Sequence, residues 1–171
     1  FNAADRQVTC EAGVVTEQLQ QFADNKGLFY PVDFASSGSS QLGGNVATNA
    51  GGIKVIRYGM TRSWVTGMKV VTGRGDLLDL NRGLTKNATG YDFRHLFIGS
   101  EGTLGIIVEL TMALSAPPRD PAVLVLGVED MIQTMPVLEV FQKKLSLTAF
   151  EFFSEQALRH VIAEKNLARP F

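Results

Sequence analysis

Cysteine occurs once in the 171 residues, as Cys10. A single thiol excludes an intrachain disulfide framework and suits a reducing compartment such as the cytoplasm. Its neighbours, Gln7-Val8-Thr9-Cys10-Glu11-Ala12, read as a strand, where a cysteine is a small buried residue rather than a nucleophile. Histidine occurs twice, as His95 and His160, and neither stands in an H-x-x-x-H or H-E-x-x-H pattern. A metal centre made by this segment alone is therefore not expected. His95, beside Leu96 and Phe97, reads as a satisfied or surface histidine. Charge of neither sign predominates: 16 basic and 17 acidic residues give a net charge of −1. That balance supplies no general attraction to nucleic acid or to an anionic membrane. No apolar run is long enough to span a bilayer. Neither the G-x-S-x-G nucleophile elbow nor the G-x-x-x-x-G-K-[ST] phosphate loop occurs. No glycine cluster joins a buried strand to a long helix with an acidic residue about 20 positions on, so the Rossmann pattern also fails. A chain that opens on Phe1, without a targeting segment, and stops just after a predicted helix reads as a piece of a longer protein.

Glycine and small polar residues are abundant, and they are concentrated. The stretch from Phe34 to Gly52, FASSGSSQLGGNVATNAGG, contains no Lys, Arg, Asp or Glu. Such a segment can close around a ligand, because glycine lets another group approach the backbone. If it holds phosphates, backbone N–H groups and short hydroxyls must do so, with a helix N-terminus as a further source. Gly43 to Ala50 reads as a turn entering a short helix. A flexible linker is the alternative for Gly/Ser-rich sequence, but a linker has no need of Leu42, Asn45, Val46, Thr48 and Asn49. Lys54 and Arg57 follow; they could face a phosphate, although two scattered cations are more often solvated.

The remaining pattern is mixed. With 45% hydrophobic residues a packed core is expected. Thr16 is the expected N-cap of an amphipathic helix carrying Leu19, Phe22 and Ala23, with Gly27 as its C-cap glycine. Trp64 to Val71 and Leu77 to Leu80 read as a hairpin about Thr72-Gly73-Arg74-Gly75-Asp76. Asp92 to Leu96 reads as a short helix capped by Asp92 or Thr89. A second glycine cluster, Phe97-Ile98-Gly99-Ser100-Glu101-Gly102-Thr103-Leu104-Gly105, then leads into a strand from Ile106 to Leu114. Pro117, Pro118 and Pro121 mark the best domain boundary. Beyond it the pattern predicts a strand over Ala122 to Gly127 and a helix over Met131 to Leu145. A strand over Leu147 to Phe153 follows, then a helix capped by Ser154. The stripe of Met135, Leu138, Phe141 and Leu145 is expected in a core. This half reads as the opening of an α+β domain. Two nearly cation-free glycine loops, separated by a hairpin, suit a large, flat, partly apolar cofactor with a diphosphate, gripped by main chain.

Several motifs in order carry a resemblance. They are Pro31-Val32-Asp33-Phe34, Gly38-Ser39, Gly43-Gly44-Asn45-Val46-Ala47-Thr48-Asn49-Ala50-Gly51-Gly52, Arg57-Tyr58-Gly59 and Gly99-Ser100-Glu101-Gly102-Thr103-Leu104-Gly105-Ile106. Together they resemble the FAD-binding domain of the PCMH-type (vanillyl-alcohol-oxidase-like) flavoproteins. Lys86 to Asp92 and Leu147-Thr148-Ala149-Phe150-Glu151 bring the chain closest to the D-2-hydroxyacid dehydrogenase branch. That branch includes D-lactate dehydrogenase, the glycolate oxidase FAD subunit and D-2-hydroxyglutarate dehydrogenase.

The resemblance implies an α+β chain: residues 1–116 as the second α/β subdomain of the FAD domain, and 121–171 as the start of a ferredoxin-like substrate (cap) domain. It implies FAD contacts from Pro31, Asp33, Gly38, Ser39, Gly43, Gly44, Asn45, Thr48, Asn49, Ala50, Gly51 and Gly52. Glu101, Gly102, Gly105, Ile106 and Ile107 would approach from the second loop, partly by main chain, with Ile106 packing on the rings. It implies oxidation of a D-2-hydroxy acid to the 2-oxo acid, with electrons passing to a separate acceptor that could draw the protein to the inner membrane. No catalytic residue is assigned, because the branch's histidines lie in the later substrate domain, and nothing here matches its first FAD subdomain. A flavoenzyme of the same fold with another substrate, or a non-catalytic nucleotide-binding module, are the alternatives.

Overall fold

The computed structural model describes residues 1–170. Its centre is a four-stranded antiparallel sheet of β1 (Gln7–Glu11), β2 (Val65–Thr72), β3 (Leu77–Leu80) and β4 (Gly105–Ala113). The spatial order is β1-β4-β2-β3. The last strand in sequence thus lies between the first and second, and the chain between β3 and β4 must return across the molecule. One sheet face carries Val8, Cys10, Met68, Val70, Leu110 and Met112. Helices α1 (Thr16–Asp24) and α2 (Leu42–Ala47) cover that face with Leu19, Ala23, Leu42 and Val46, forming a single core. Full burial of a side chain such as Leu110 or Leu42 contributes about 1.5–3 kcal/mol. The opposite face is polar at its centre, with Leu77 and Ile106 exposed at one end. Thr9 and Thr111 join their hydroxyls at 3.1 Å, and Lys69 pairs with Glu109 at 2.9 Å.

A bulge in β4 decides which residues point where. Lys69 pairs with Glu109, but Val70 pairs with Ile107, leaving Val108 without an opposite residue. One extra residue in a period-2 pattern inverts the faces beyond it. Ile107 therefore packs on the core, whereas Ile106 stands 69% exposed on the polar face beside Val71.

Local chemistry corrects several helix expectations. Thr16 is not the N-cap of α1; Val15 is, and its N–H donates to Gln18 Oε1 at 3.0 Å. Thr16 is buried, because its hydroxyl is used by the glycine-rich stretch: it lies 3.2 Å from the Ser40 carbonyl oxygen and accepts from Asn45 Nδ2 at 2.6 Å. At the other end Gly27 takes φ +66°, and the Leu28 N–H returns to the Ala23 carbonyl at 2.9 Å. Lys54 to Gly59 contains a one-turn helix, α3 (Val55–Tyr58), followed by a 3-10 turn, Thr61–Trp64. The short helix near position 92 is α4, spanning Arg94–Phe97. It starts two residues late because Asp92 Oδ1 accepts the Arg94 N–H at 3.2 Å in an Asx turn.

The second half departs further. Helices α5 (Thr134–Lys144) and α6 (Glu155–Lys165) form, and Ser154 Oγ caps α6 by accepting the Ala157 N–H at 3.1 Å. The expected strands over Ala122 to Gly127 and Leu147 to Phe153 do not form. Strand-prone sequence becomes a strand only beside a neighbour, and neither segment docks on the sheet edges β1 or β3. Val123 is 90% exposed, and of the stripe expected in a core Met135 and Leu145 are exposed while Leu138 and Phe141 are half-buried.

Candidate functional site

The glycine-rich stretch is held open by its own bonds. The Leu42 N–H donates to Val14 O at 2.9 Å, and the Gly43 N–H to Ala12 O at 2.8 Å. These bonds seat α2 against the end of β1. They also engage two of the helix's first N–H groups, so the start of α2 is not the open anion site that a glycine turn entering a helix predicts. Asn45, buried inside α2, bonds to Thr16 and approaches Ser40, tying α1, the serine turn and α2 together. Thr48 ends the helix with its hydroxyl donating to Gly44 O at 3.0 Å. The Ala50 carbonyl accepts from the Thr61 hydroxyl at 2.7 Å and the Thr61 N–H at 3.0 Å. Asp33 O accepts the Ile53 N–H at 3.1 Å. A Cβ on Gly52 would meet that same carbonyl oxygen at 2.3 Å, so only glycine fits there.

These constraints leave a concavity of about 560 Å³ lined by Phe34, Ala35, Ser36, Asn45, Thr48, Ala50, Gly51 and Gly52. Five of the expected contact residues share it: Asn45, Thr48, Ala50, Gly51 and Gly52. Phe34, Ala35 and Ser36 join them. They lie inside the same charge-free stretch, and that position was the signal that could have found them. Gly38 and Ser39 stand on the exposed turn beside the rim, and Ser39 folds its hydroxyl back to Ser36 O at 3.3 Å. Pro31 is buried beneath the stretch. Asp33 is half-buried, and its carboxylate is held by Lys54 Nζ at 2.8 Å. Lys54 also sits 5.1 Å over the Phe29 ring. This cation thus neutralises Asp33, and Arg57 bonds to the Ser146 hydroxyl.

The second glycine cluster is brought against the first. The Gly99 N–H donates to Val46 O at 3.1 Å, and the Glu101 N–H donates to Ala47 O at 2.9 Å. Gly99 and Gly102 have φ of +84° and +78°, and Glu101 adopts φ +52°, so the loop curls tightly over the end of α2. Gly105 lies where a Cβ would strike Val70 Cγ1 and Val71 O, each at 2.7 Å, and allows the loop to enter β4. The side chains of Ile106 and Ile107 are not brought to the concavity. The bulge sends one to the polar face and the other into the core, and only their main chain remains for a ligand.

One residue of the site carries no local sequence signal. Arg62 N–H donates to Asn49 Oδ1 at 3.0 Å, and its guanidinium Nη2 donates to Ile98 O at 2.8 Å. The same guanidinium lies 2.8 Å from His95 Nδ1. His95 is therefore a partner of Arg62 and, through Nε2, of Asp92 at 3.4 Å. Arg94 holds Asp92 through a side-chain hydrogen bond and keeps its carboxyl below the usual range. Among the described residues no three His, Cys, Asp or Glu side chains converge as a metal site. Nor, among those residues, is any helix long and apolar enough to cross a membrane.

Residues 1–81 match the family described as FAD binding domain. All 171 residues align at 66% identity with D-2-hydroxyglutarate dehydrogenase of Stutzerimonas stutzeri (strain A1501), covering 37% of that protein. The enzyme of that name from Xanthomonas citri pv. viticola is 56% identical over 95% of this chain and 34% of its own length. The mitochondrial one from Bos taurus is 37% identical over 99% of this chain and 32% of its own. A solved structure of alkyldihydroxyacetonephosphate synthase superposes with a TM-score of 0.60 at 30% identity, over 69% of this chain and 21% of that one. The chain thus spans 37% or less of the curated relatives named here.

Proposed function

We propose, for a chain that belongs to the PCMH-type FAD-binding flavoproteins, that it forms one wall of the FAD site in an enzyme oxidising a D-2-hydroxy acid to the 2-oxo acid. The observation that carries this reading is the pair of bonds Gly99 N–H to Val46 O and Glu101 N–H to Ala47 O. They make one continuous surface of two glycine clusters that lie about 50 residues apart in sequence. The residues fit the cofactor: the concavity is lined by uncharged groups, small ones with the Phe34 ring among them, and Gly44 faces open space, with nothing within 4 Å of where a Cβ would stand.

Residues 1–116 serve in this reading as the second subdomain of the FAD domain, and 121–171 as the start of the substrate domain. Asn45, Thr48, Ala50, Gly51 and Gly52 would hold the cofactor from the concavity. Gly43 and Gly44 would do so from α2, and Asp33, Gly38, Ser39 and Asn49 from the surrounding stretch, with the buried Pro31 supporting that stretch from beneath. Glu101, Gly102, Gly105, Ile106 and Ile107 would contribute main chain from the second cluster. Bound FAD supplies a two-electron acceptor for the hydride of the substrate α-carbon. The part played by this chain is to orient the cofactor and exclude water from it. D-2-hydroxyglutarate is the first substrate to test, because the relatives carry its name; D-lactate and glycolate follow. The electrons pass to a separate acceptor, and the single cysteine favours a cytoplasmic setting.

The test is the full-length protein. It should purify with a flavin absorption spectrum that bleaches anaerobically on adding D-2-hydroxyglutarate, and steady-state rates with oxygen against artificial acceptors separate an oxidase from a dehydrogenase. A folded protein that is colourless and takes up no added FAD overturns the reading.

A further inference from the structure

We propose that Arg62 is a positioning residue that fixes the spacing between the two glycine clusters, and through it the fit of the dinucleotide; the inference rests on the FAD reading above. Three partners meet this one residue. Its backbone N–H bonds to the side chain of Asn49, in the first cluster. Its guanidinium bonds to the carbonyl of Ile98, at the mouth of the second, and to His95. Gly99 lies beside this link: a Cβ placed there would be in ordinary van der Waals contact with Asn49 Cβ at 3.5 Å and with Arg62 Nη2 at 3.6 Å. Asn49 itself adopts φ +49°, a conformation that its hydrogen bonds must hold.

Ile98 is 2% exposed. Its carbonyl therefore has little access to water, and removing the guanidinium leaves a buried acceptor without this donor. The bonds from Gly99 and Glu101 to α2 would remain, so the loop would stay near the first cluster but lose its lateral restraint. Lysine cannot replace the guanidinium fully, because one ammonium cannot hold the Ile98 carbonyl and the His95 ring in the same planar fork. Arg62 touches neither a reacting atom nor the concavity lining, so its effect is exerted on geometry.

The experiment uses the full-length protein and three variants: Arg62→Met, Arg62→Lys and, as a control that loosens the core beneath β3, Leu78→Ala. FAD affinity, the visible circular dichroism of bound flavin at saturation, and thermal stability without FAD are read in each. Arg62→Met should weaken FAD about tenfold or more and alter the flavin dichroism even at saturation. Arg62→Lys should lie between it and wild type. Leu78→Ala should lower the melting temperature yet show wild-type flavin dichroism. Should Arg62→Met not fold, Arg62→Lys carries the same expectation at smaller size. An Arg62 variant with affinity within twofold of wild type and unchanged dichroism overturns the inference while leaving the FAD reading intact. Wild-type protein that takes up no FAD overturns both.

Discussion

Four glycines of this fold answer to different demands. At positions 43, 52 and 105 a Cβ would come within 2.7 Å or less of the chain's own atoms, so the fold itself requires glycine. At Gly44 nothing lies within 4 Å, the backbone is helical and the residue is exposed. Neither strain nor packing explains it, and a helix is more stable with alanine there by about 0.5–1 kcal/mol. Gly44→Ala should therefore raise the melting temperature of the FAD-free protein and lower its FAD affinity, and Gly44→Val should lower that affinity further. A higher melting temperature with unchanged FAD binding would show that the position does not face the cofactor. Cys10 is the other residue with a clear chemical forecast. Burial, helped by the nearby Glu109 carboxylate, pushes its thiol up to about 11. At pH 8 the native protein should react with iodoacetamide roughly a hundredfold more slowly than in urea, and the rate should climb as the pH approaches 11. Rapid labelling of native protein at pH 8 would contradict this.

At the scale of elements, β4 shows how one inserted residue redirects a motif. The strand was legible from its apolar run, but the register that exposes Ile106 and buries Ile107 depends on which residue of β2 it meets. The two expected strands beyond position 121 failed for a related reason. Their sequences fit a sheet, but neither segment pairs with the edge strands β1 or β3. Helix α6 was legible because its signals are local: a serine cap, an acidic first turn and a Glu155–Arg159 pair at i,i+4. Arg169 and Arg159 together hold the Glu155 carboxyl down to about 2. A depressed carboxylate stabilises the fold at pH values above its ordinary pKa, and that contribution fades as the pH falls toward 2. Both partners are exposed to solvent, so the effect is small and salt-sensitive. The carboxyl carbon of Glu155 should titrate near pH 2 by NMR, and a midpoint in the ordinary range of about 4.3 would mean that Arg169 does not hold it in solution.

At the scale of the whole molecule, the two glycine clusters form one surface, but a surface with one side. The chain presents its concavity to solvent, and under the proposed reading FAD would meet only this one wall. Ordering the loops must then be offset by the remaining contacts alone. The isolated 171 residues should bind FAD with a Kd above about 1 μM, measured by quenching of flavin fluorescence, and the full-length protein should bind it more tightly. Submicromolar binding by the isolated chain would show that these residues form a complete site.

The sequence by itself determined whatever is settled between near neighbours. The Ser154 start of α6, the hairpin about Gly73 and Gly75, the glycine clusters and the absence of a cysteine framework or a phosphate-loop motif were readable from spacing and residue type. Tertiary structure alone decided the contacts between distant segments: that Gly99 and Glu101 would bond to the end of α2, that Lys54 would neutralise Asp33, and that Arg62 would join Asn49 to Ile98. It also decided that Thr16 would serve Asn45 instead of its own helix. The physical reason is the same in each case. A local signal depends on a residue's own conformational preferences, whereas a long-range hydrogen bond forms only once the core has fixed where both partners stand.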